Sequence, residues 1–170
     1  QNGFLKITSQ ILCCFQETHL SCKDSYTLKI KGWKKIFHTK RNQKWAGVAI
    51  PISDKTEFKA TTVKVDKNCH YITIKGSIQQ EDLRILNIYA PIFRTPRLIK
   101  QLLLDLRKPK KRDSHTIIVQ DFNTPLTALD RSSRQKVNKE TLDLNCTQEQ
   151  MNLTDIYQTF YLRTAEYTCF

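Results

Sequence analysis

The sequence contains few of the residues and segments that are typical of linkers, membrane spans or secretion signals. Its 170 residues include 4 glycines, 5 prolines and 1 methionine, and no segment is of low complexity or repeated. The longest apolar runs, such as residues 11–15 and 116–119, are far too short to cross a membrane. The first residues lack the pattern of a signal peptide, and Gln1 stands where an initiator methionine would be expected. We therefore expect a globular segment of a longer product, with no membrane association.

The pattern of a zinc-thiolate site is also missing. No two of the six cysteines have the C-x-x-C spacing of such a site. Cys13 and Cys14 are adjacent within an apolar run, so a strand would direct them to opposite faces. We interpret the cysteines as buried reduced thiols, which indicates a reducing compartment. The expected location is intracellular, in the nucleus and cytoplasm.

A strong positive charge is the most prominent feature that is present. Lysine and arginine total 28 against 16 acidic residues, a formal net charge of +12. Apolar residues at 39% and charged residues at 26% fit a folded domain better than a disordered chain. A surplus of one sign repels itself unless a polyanion neutralises it, and nucleic acid is the commonest such partner. On charge alone, a nucleic-acid partner and an inert basic surface are equally good interpretations.

Alternating and apolar stretches predict a mixture of strands and helices. A turn is predicted at residues 66–68, and helices are predicted from Pro96 onward and over about residues 139–152. The predicted strands are 11–16, 44–53, 60–66, 69–78, 83–89 and 115–120, with a last one starting at 166. Because strands and helices do not alternate strictly, we expect a mostly antiparallel, layered α/β arrangement in one domain over residues 1–170.

Polar side chains follow three of these strands at the points where the strands end. Glu17 follows the first predicted strand, Tyr89 ends the fifth, and Asp121 follows the sixth, with Asn123 two residues later. Strand ends in layered α/β folds gather at one edge, where a site rests on rigid supports. A carboxylate and an amide side by side can hold a water and a phosphate oxygen together. The pattern therefore indicates a phosphoesterase site in which oxygen ligands suit Mg²⁺.

Each of these residues also has a plainer interpretation. A lone glutamate after a strand, such as Glu17, is usually solvated. The run from Asp121 to Pro125 favours a turn, and Tyr89 fits an aromatic residue at the edge of a core. Taken singly, the plainer interpretations are better, and only the occurrence of all three at strand ends favours a shared site.

Several short words in the sequence make this interpretation more specific. QETHL at 16–20, NIYAP at 87–91 and DFNTPL at 121–126 resemble signature blocks of the endonuclease/exonuclease/phosphatase superfamily. KIKGWKKIF, AGVAI, LDRSSRQKVNKET and AEYTCF are similar to the apurinic/apyrimidinic-endonuclease-like domain of mammalian LINE-type retrotransposon proteins. The resemblance implies a DNase I-like fold, a layered β-sandwich of two mixed sheets flanked by helices. We expect a single partial domain that is incomplete at both ends.

The resemblance implies a role for each residue of the candidate site. Glu17 resembles the family's Mg²⁺-binding glutamate, and Tyr89 resembles the tyrosine that contacts the scissile phosphate. Asp121 resembles the aspartate that orients or deprotonates the attacking water, and Asn123 the asparagine that holds water and phosphate. The implied reaction is hydrolysis of a DNA phosphodiester that leaves a 3′ hydroxyl, with Mg²⁺ or alternatively Mn²⁺ as the cofactor. In the parent family this nick primes reverse transcription.

Two further residues match positions near the DNA. Thr168 resembles a threonine at the DNA-facing edge, and Arg131 is expected to contact the DNA backbone. The implied partner is DNA, with AT-rich sites selected through groove shape, and the implied state is a monomer.

The chain departs from the family pattern in ways that bear on activity. We expect this segment to lack the family's metal-binding asparagine, which belongs to a strand before Gln1, and the Ser-Asp-His block with the catalytic histidine, which belongs after Phe170. Gln120 replaces the usual glycine before Asp-Phe-Asn, and we expect it to crowd the metal pocket. We therefore expect little or no nicking by this segment.

Two other functions remain open besides the enzyme. A catalytically dead, basic remnant would bind nucleic acid through phosphate contacts, with an affinity that falls steeply with salt. A phosphatase of the same superfamily would act on a small phosphorylated molecule, but the words outside the catalytic blocks favour the retrotransposon group.

Overall fold

A computed structural model describes residues 12–18, 31–39, 47–89, 95–107, 115–121, 139–154 and 156. The chain divides into two compact units, one of residues 1–89 with 111–121 and the other of residues 90–110 with 122–170. The described strands belong to the first unit and the two described helices to the second. That the whole chain forms one domain stays a prediction.

The first unit is built from two β-sheets. In the first sheet, β1 (Phe15–Thr18) and β2 (Trp33–His38) both pair antiparallel with the central β3 (Gly47–Ser53). The strands of the second sheet, in spatial order, are β4 (Lys59–Val65), β5 (Tyr71–Ile78), β6 (Glu81–Tyr89) and β7 (His115–Asp121). Its pairs are antiparallel except for the parallel pair of β6 and β7. This architecture confirms the predicted layered, mostly antiparallel arrangement.

An apolar core joins the two sheets face to face. Strand β5 alternates buried residues with half-buried ones, so one of its faces meets the core. Strand β3 is buried along its whole length, since it is the central strand of the first sheet. Each fully buried aliphatic side chain contributes about 1.5–3 kcal/mol. The core cluster consists of Leu12, Cys14, Phe37, Val48, Ile50, Ile52, Ile72, Ile74, Ile85 and Val119.

A two-residue turn connects β5 to β6. Ile78 pairs with Glu81, and the intervening Gln79 and Gln80 have φ of 50° and 71°. Two positive φ angles match the type I′ turn, which normally selects Asn-Gly. Glutamine has no such preference, so the sheet pairing on either side imposes this turn on the chain.

Close packing in the second sheet requires a glycine in β5. A Cβ atom on Gly76 would lie 2.5 Å from the carbonyl oxygen of Lys59 and 2.5 Å from the ring of Phe58. The register of β4 against β5 shifts between Ala60 and Thr62, at the same place. The irregular start of β4 therefore packs directly on the bare backbone of Gly76.

The second unit contains the helices α1 (Thr95–Arg107) and α2 (Lys139–Gln150). Helix α1 buries Ile99 and Leu103, and α2 buries Leu144. Both helices were predicted, with Pro96 in the first turn of α1 as its fixed φ favours. Within the described segments, no helix is both long and apolar enough to cross a membrane.

Two exposed ion pairs join α1 to α2. Arg97 Nη2 lies 2.6 Å from Glu140 Oε1, and Lys100 Nζ lies 3.3 Å from Asp143 Oδ2. The partners advance by three residues along each helix, so α1 and α2 run side by side in the same direction. Exposed pairs of this kind stabilise a fold by at most about 1 kcal/mol.

The structure corrects the sequence prediction at the start of the first unit. The strand predicted over 11–16 lies over Phe15–Thr18 instead, and Leu12 forms a single bridge to Ile52. Strand β2 was not predicted, because half of its six residues are lysine or histidine and no clear alternation marks it. The strand predicted from residue 166 lies outside the described residues.

The four cysteines of the described segments are reduced thiols. Cys13, Cys14 and Cys69 are buried, as predicted, whereas the prediction of burial is wrong for Cys146, which is exposed on α2. Burial, and to a smaller extent the adjacent Cys13, raises the pKa of the Cys14 thiol from 9.0 to about 12. Cys14 therefore behaves as an apolar core residue and not as a nucleophile.

Candidate functional site

The carboxyl ends of β6 and β7 lie side by side. These strands run parallel, and their last residues, Tyr89 and Asp121, are register partners. Neighbouring strands in a sheet are about 4.8 Å apart, so one small substrate group can reach both positions. Tyr89 is half-buried and packs against the core. Parallel pairing thus brings together two residues that are far apart in the sequence.

Strand β1 carries Glu17 at an irregularity in its pairing with β3. The register advances by three residues on β1, from Phe15 to Thr18, but by two on β3. Glu17 is exposed and has φ of 53°, in the left-handed region, where a residue other than glycine loses about 1 kcal/mol. An extra residue of this kind bends a strand and re-aims its side chains, and such bulges are frequent beside active sites.

A buried asparagine connects the two sheets next to this bulge. Asn87 of β6 is 0% exposed and donates from Nδ2 to the carbonyl oxygens of Phe15 at 3.0 Å and Ala49 at 3.1 Å. Its Oδ1 accepts from Nε2 of Gln16 at 3.3 Å, and the same Nε2 donates to the carbonyl oxygen of Ile88 at 3.1 Å. A buried amide is tolerated when its hydrogen bonds are made. This inter-sheet network holds β1 against β6.

The network places three chain segments at one end of the sandwich. Gln16 precedes Glu17 in β1, and its acceptor Ile88 precedes Tyr89 in β6. Tyr89 in turn pairs with Asp121. Glu17, Tyr89 and Asp121 therefore lie at the same end of the first unit, while the chemical role of each stays a prediction.

The turn between β4 and β5 reaches the same end. The backbone N–H of Tyr89 donates to the carbonyl oxygen of His70 at 2.7 Å. The carboxylate of Asp66 accepts from the backbone N–H of Asn68 at 3.1 Å and from that of His70 at 3.3 Å. The same carboxylate oxygen lies 3.3 Å from Nδ1 of the His70 ring. The residue whose backbone bonds Tyr89 thus carries an imidazole that is held by a carboxylate.

Gln120 was expected to crowd the metal pocket, but it lies on the face of β7 that points away from the candidate site. It is the register partner of Ile88, on the sheet face opposite to that of Tyr89. The expectation that Gln120 crowds the candidate site is therefore wrong. Its Oε1 is buried and meets no hydrogen-bond donor in the described part of the chain.

The remaining predicted site residues, Asn123, Arg131 and Thr168, lie outside the described residues. Within the described ranges, no three His, Cys, Asp or Glu side chains group closely enough to hold a metal ion. Mg²⁺ does not need such a group, because it keeps several waters and is commonly held by one or two carboxylates with substrate phosphates. The exposed carboxylate of Glu17 is a hard oxygen donor, so the residues at this end fit Mg²⁺.

Sequence reasoning missed three members of this arrangement: Gln16, His70 and Asn87. A signal for Asn87 was present, since an amide in the apolar strand LRILNIY is expensive to bury without partners. No local signal marks Gln16, because its hydrogen bonds join positions 71 and 72 residues apart.

A scan against protein-family models finds no match to this chain. Among solved structures, the chain is similar to an AP endonuclease from Archaeoglobus fulgidus, with a TM-score of 0.67 and 16% sequence identity. The similarity covers 94% of this chain and 67% of the archaeal chain. At this identity the likeness establishes the fold alone, and it confirms the predicted DNase I-like class.

Two structures of TDP2 from Caenorhabditis elegans are also similar, over 66% of this chain. One has a TM-score of 0.48 at 17% identity and is covered over 38% of its length. The other, a truncated form, has a TM-score of 0.49 at 16% identity and is covered over 49%. Scores at this level add nothing to the fold assignment, which depends on the archaeal structure.

Proposed function

We propose that this chain carries the active site of a Mg²⁺-dependent DNA endonuclease, of the kind with which LINE-type retrotransposons nick target DNA before reverse transcription. The main support is the meeting of Glu17, Tyr89 and Asp121 at one end of the sandwich, through the parallel register of β6 and β7 and the Gln16 hydrogen bonds. The words QETHL, NIYAP and DFNTPL support the chemical roles of these residues through their resemblance to the family.

Each residue has one task in the proposed reaction. The carboxylate of Asp121 accepts a proton from a water molecule, whose oxygen attacks the phosphorus of a DNA phosphodiester. The bond from phosphorus to the 3′ oxygen breaks, and that oxygen takes up a proton from solvent, which leaves a 3′ hydroxyl and a 5′ phosphate. Tyr89 contacts the scissile phosphate, and Asn123 holds the water and the phosphate. Held by Glu17, Mg²⁺ would stabilise the negative charge that develops on the phosphate and on the leaving oxygen.

The net charge of +12 supports a DNA substrate, but it also supports a second function, DNA binding without cleavage. Binding of that kind would show a slope of log K against log salt of about −0.9 for each phosphate neutralised. It would not require Asp121. Either function would place the protein where DNA is, in the nucleus, as well as in the cytoplasm where it is made.

Nicking of supercoiled plasmid tests the proposal. The purified chain is incubated with plasmid and Mg²⁺, and the relaxed circles are quantified over time. In line with the departures from the family pattern, we expect at most slow nicking, which EDTA should stop and Asp121→Ala should reduce by about 10²–10⁴-fold, the usual contribution of a general base. The matched control is Asp82→Ala, which removes an exposed aspartate at the opposite end of β6 and should leave the rate unchanged.

The possible outcomes separate the two functions. Nicking that survives Asp121→Ala contradicts the proposed site. Salt-sensitive binding that is equal in the parent chain and in Asp121→Ala, with no nicking by either, supports the binding remnant. A chain that neither binds nor nicks DNA excludes both.

A further inference from the structure

We propose that His70, oriented by Asp66, contacts a phosphate group of the DNA that binds at Tyr89. The inference rests on the proposed function for the identity of the ligand. Its location rests on the geometry of the turn between β4 and β5. His70 belongs to none of the sequence words that resemble the nuclease family, so no role follows for it from that resemblance.

His70 occupies the register position next to Tyr89. The ladder of β5 and β6 pairs Tyr71 with Ile88, so one further step pairs His70 with Tyr89. The 2.7 Å hydrogen bond from the Tyr89 N–H to the His70 carbonyl oxygen continues the ladder by that step. In a hydrogen-bonded pair of this kind the Cα atoms are about 5.5 Å apart. The positions of His70, Tyr89 and Asp121 therefore form one row, made by the residue before β5 and the last residues of β6 and β7.

Tyr89 is in the middle of this row, and the neighbouring position on each side is roughly 5 Å away. A phosphate group at Tyr89 is thus within reach of the His70 ring. The side chain of His70 is 22% exposed, so a solute can meet it without any rearrangement of the core.

Asp66 determines which nitrogen of the His70 ring is presented to a ligand. Its Oδ2 lies 3.3 Å from Nδ1 and also accepts from the backbone N–H of His70, so ring and backbone are held by the same oxygen. An imidazolium donates from both ring nitrogens. In that form Nε2–H can bond a phosphate oxygen while Nδ1–H keeps its contact with Asp66.

NMR signals of the histidine side chains test the contact directly. The Asp121→Ala chain is titrated with a short DNA duplex, so that the DNA stays uncut. We expect the imidazole signals of His70 to shift on binding and those of His115 to stay in place. His115 is a matched control, since it is exposed at the opposite end of the same sheet, where it pairs with Leu83. His70 signals that stay in place while DNA binds would overturn the inference.

Affinity measurements give the contribution of this contact to DNA binding. His70→Ala should weaken duplex binding roughly tenfold or more, the value of one hydrogen bond to a charged group. His70→Gln, whose side-chain amide can donate from Nε2, should recover part of that loss, and His115→Ala should lose nothing. Equal weakening by His70→Ala and His70→Gln, with equal loss of thermal stability, would assign His70 a structural role and contradict the proposal.

Failure of this inference can be distinguished from failure of the proposed function. If the parent chain does not nick plasmid but the His70 signals respond to DNA, the endonuclease fails and the phosphate contact stands. If nicking depends on Asp121 and the His70 signals do not respond to DNA, the contact fails and the endonuclease stands.

Discussion

Strand β6 begins and ends with polar residues, but its two ends are built differently. At the first end, Glu81 and Asp82 are exposed and follow the tight turn from β5. We name this the turn end. At the other end, which we name the site end, Tyr89 lies between His70 of the β4–β5 turn and Asp121 of β7.

The turn end is a solvated strand terminus, whereas the site end is a candidate site. The turn end brings together residues that are neighbours in the sequence. The site end adds β1 from the other sheet, held through Asn87 and Gln16. Side chains that meet from distant segments on rigid strands keep a defined geometry, which a loop with the same residues does not. Polar residues at a strand end therefore indicate a site only where tertiary contacts converge on them.

The largest expected effect comes from removing the network that supports the site end. Asn87→Ala removes the side-chain donor to the carbonyl oxygens of Phe15 and Ala49, and one of the two acceptors of the Gln16 amide. We expect the free energy of unfolding to fall by about 3 kcal/mol or more, measured by urea denaturation. At the turn end, Asp82→Ala should change it by less than about 0.5 kcal/mol. Equal small losses for both variants would mean that the network does not support the site end.

The rates at which a reagent modifies the thiols report how rigid the segment leading into β1 is. The pKa of Cys14 is raised to about 12 by burial, so its thiol stays protonated and hidden at neutral pH. Iodoacetamide should modify the exposed Cys146 at least about a hundredfold faster, as followed by mass spectrometry. Similar rates would show that the segment opens easily.

The same thiol predicts the direction of a pH effect on stability. The pKa of Cys14 in the folded chain, about 12, lies above its ordinary value of 9.0. Burial of the neutral thiol therefore stabilises the fold fully below pH 9, and this contribution is lost as the pH rises towards 12. Replacing Cys14 with Ala should reduce this alkaline loss of stability in urea denaturation.

A glycine near the turn end should matter for packing and not for chemistry. Gly76→Ala would drive a Cβ atom into the backbone of Lys59 and the ring of Phe58, and we expect a loss of about 1–3 kcal/mol. Gly32→Ala is the control, because Gly32 has φ of 88° but no neighbour within 4 Å, which leaves only a backbone cost of about 1 kcal/mol. Nicking per folded molecule should not change in either variant.

Positive φ angles occur at both ends and allow a direct comparison. Replacing Gln79 with Asn and Gln80 with Gly suits the turn and should raise the free energy of unfolding by about 0.5–1 kcal/mol, with nicking unchanged. Glu17→Gly should relieve similar backbone strain but abolish nicking, since the carboxylate is lost. A Glu17→Gly chain that still nicks would remove Glu17 from the site.

The smallest effect is expected outside both ends, at the ion pairs between the helices. Arg97→Ala should lower the free energy of unfolding by no more than about 0.5 kcal/mol, because the Arg97 side chain is 80% exposed and water screens the pair. Its effect should shrink in high salt. If the free energy of unfolding fell by more than about 1 kcal/mol, water would screen the ion pair less than the exposure of Arg97 implies.

Most of the second sheet could be predicted from the sequence, because its strands are marked by apolar stretches or by alternation, as in β5, where burial alternates as well. The strand predicted over 69–78 is observed over Tyr71–Ile78, and the strand predicted over 115–120 is observed over His115–Asp121. Strand β2 and the bulge at Glu17 could not be predicted. Their residues have no strong preference for the conformation they adopt, and pairing with β3 imposes it.

The sequence by itself identified the polar groups of the proposed phosphate site, Glu17, Tyr89 and Asp121, each at or just after the end of an apolar stretch that local patterning predicts as a strand. Only the tertiary structure decided that Tyr89 pairs with Asp121, that Gln16 reaches Ile88, and that His70 joins the same row. The physical reason is that strand order and register depend on burying the apolar faces of both sheets at once, and this is a property of the whole unit and not of any short segment.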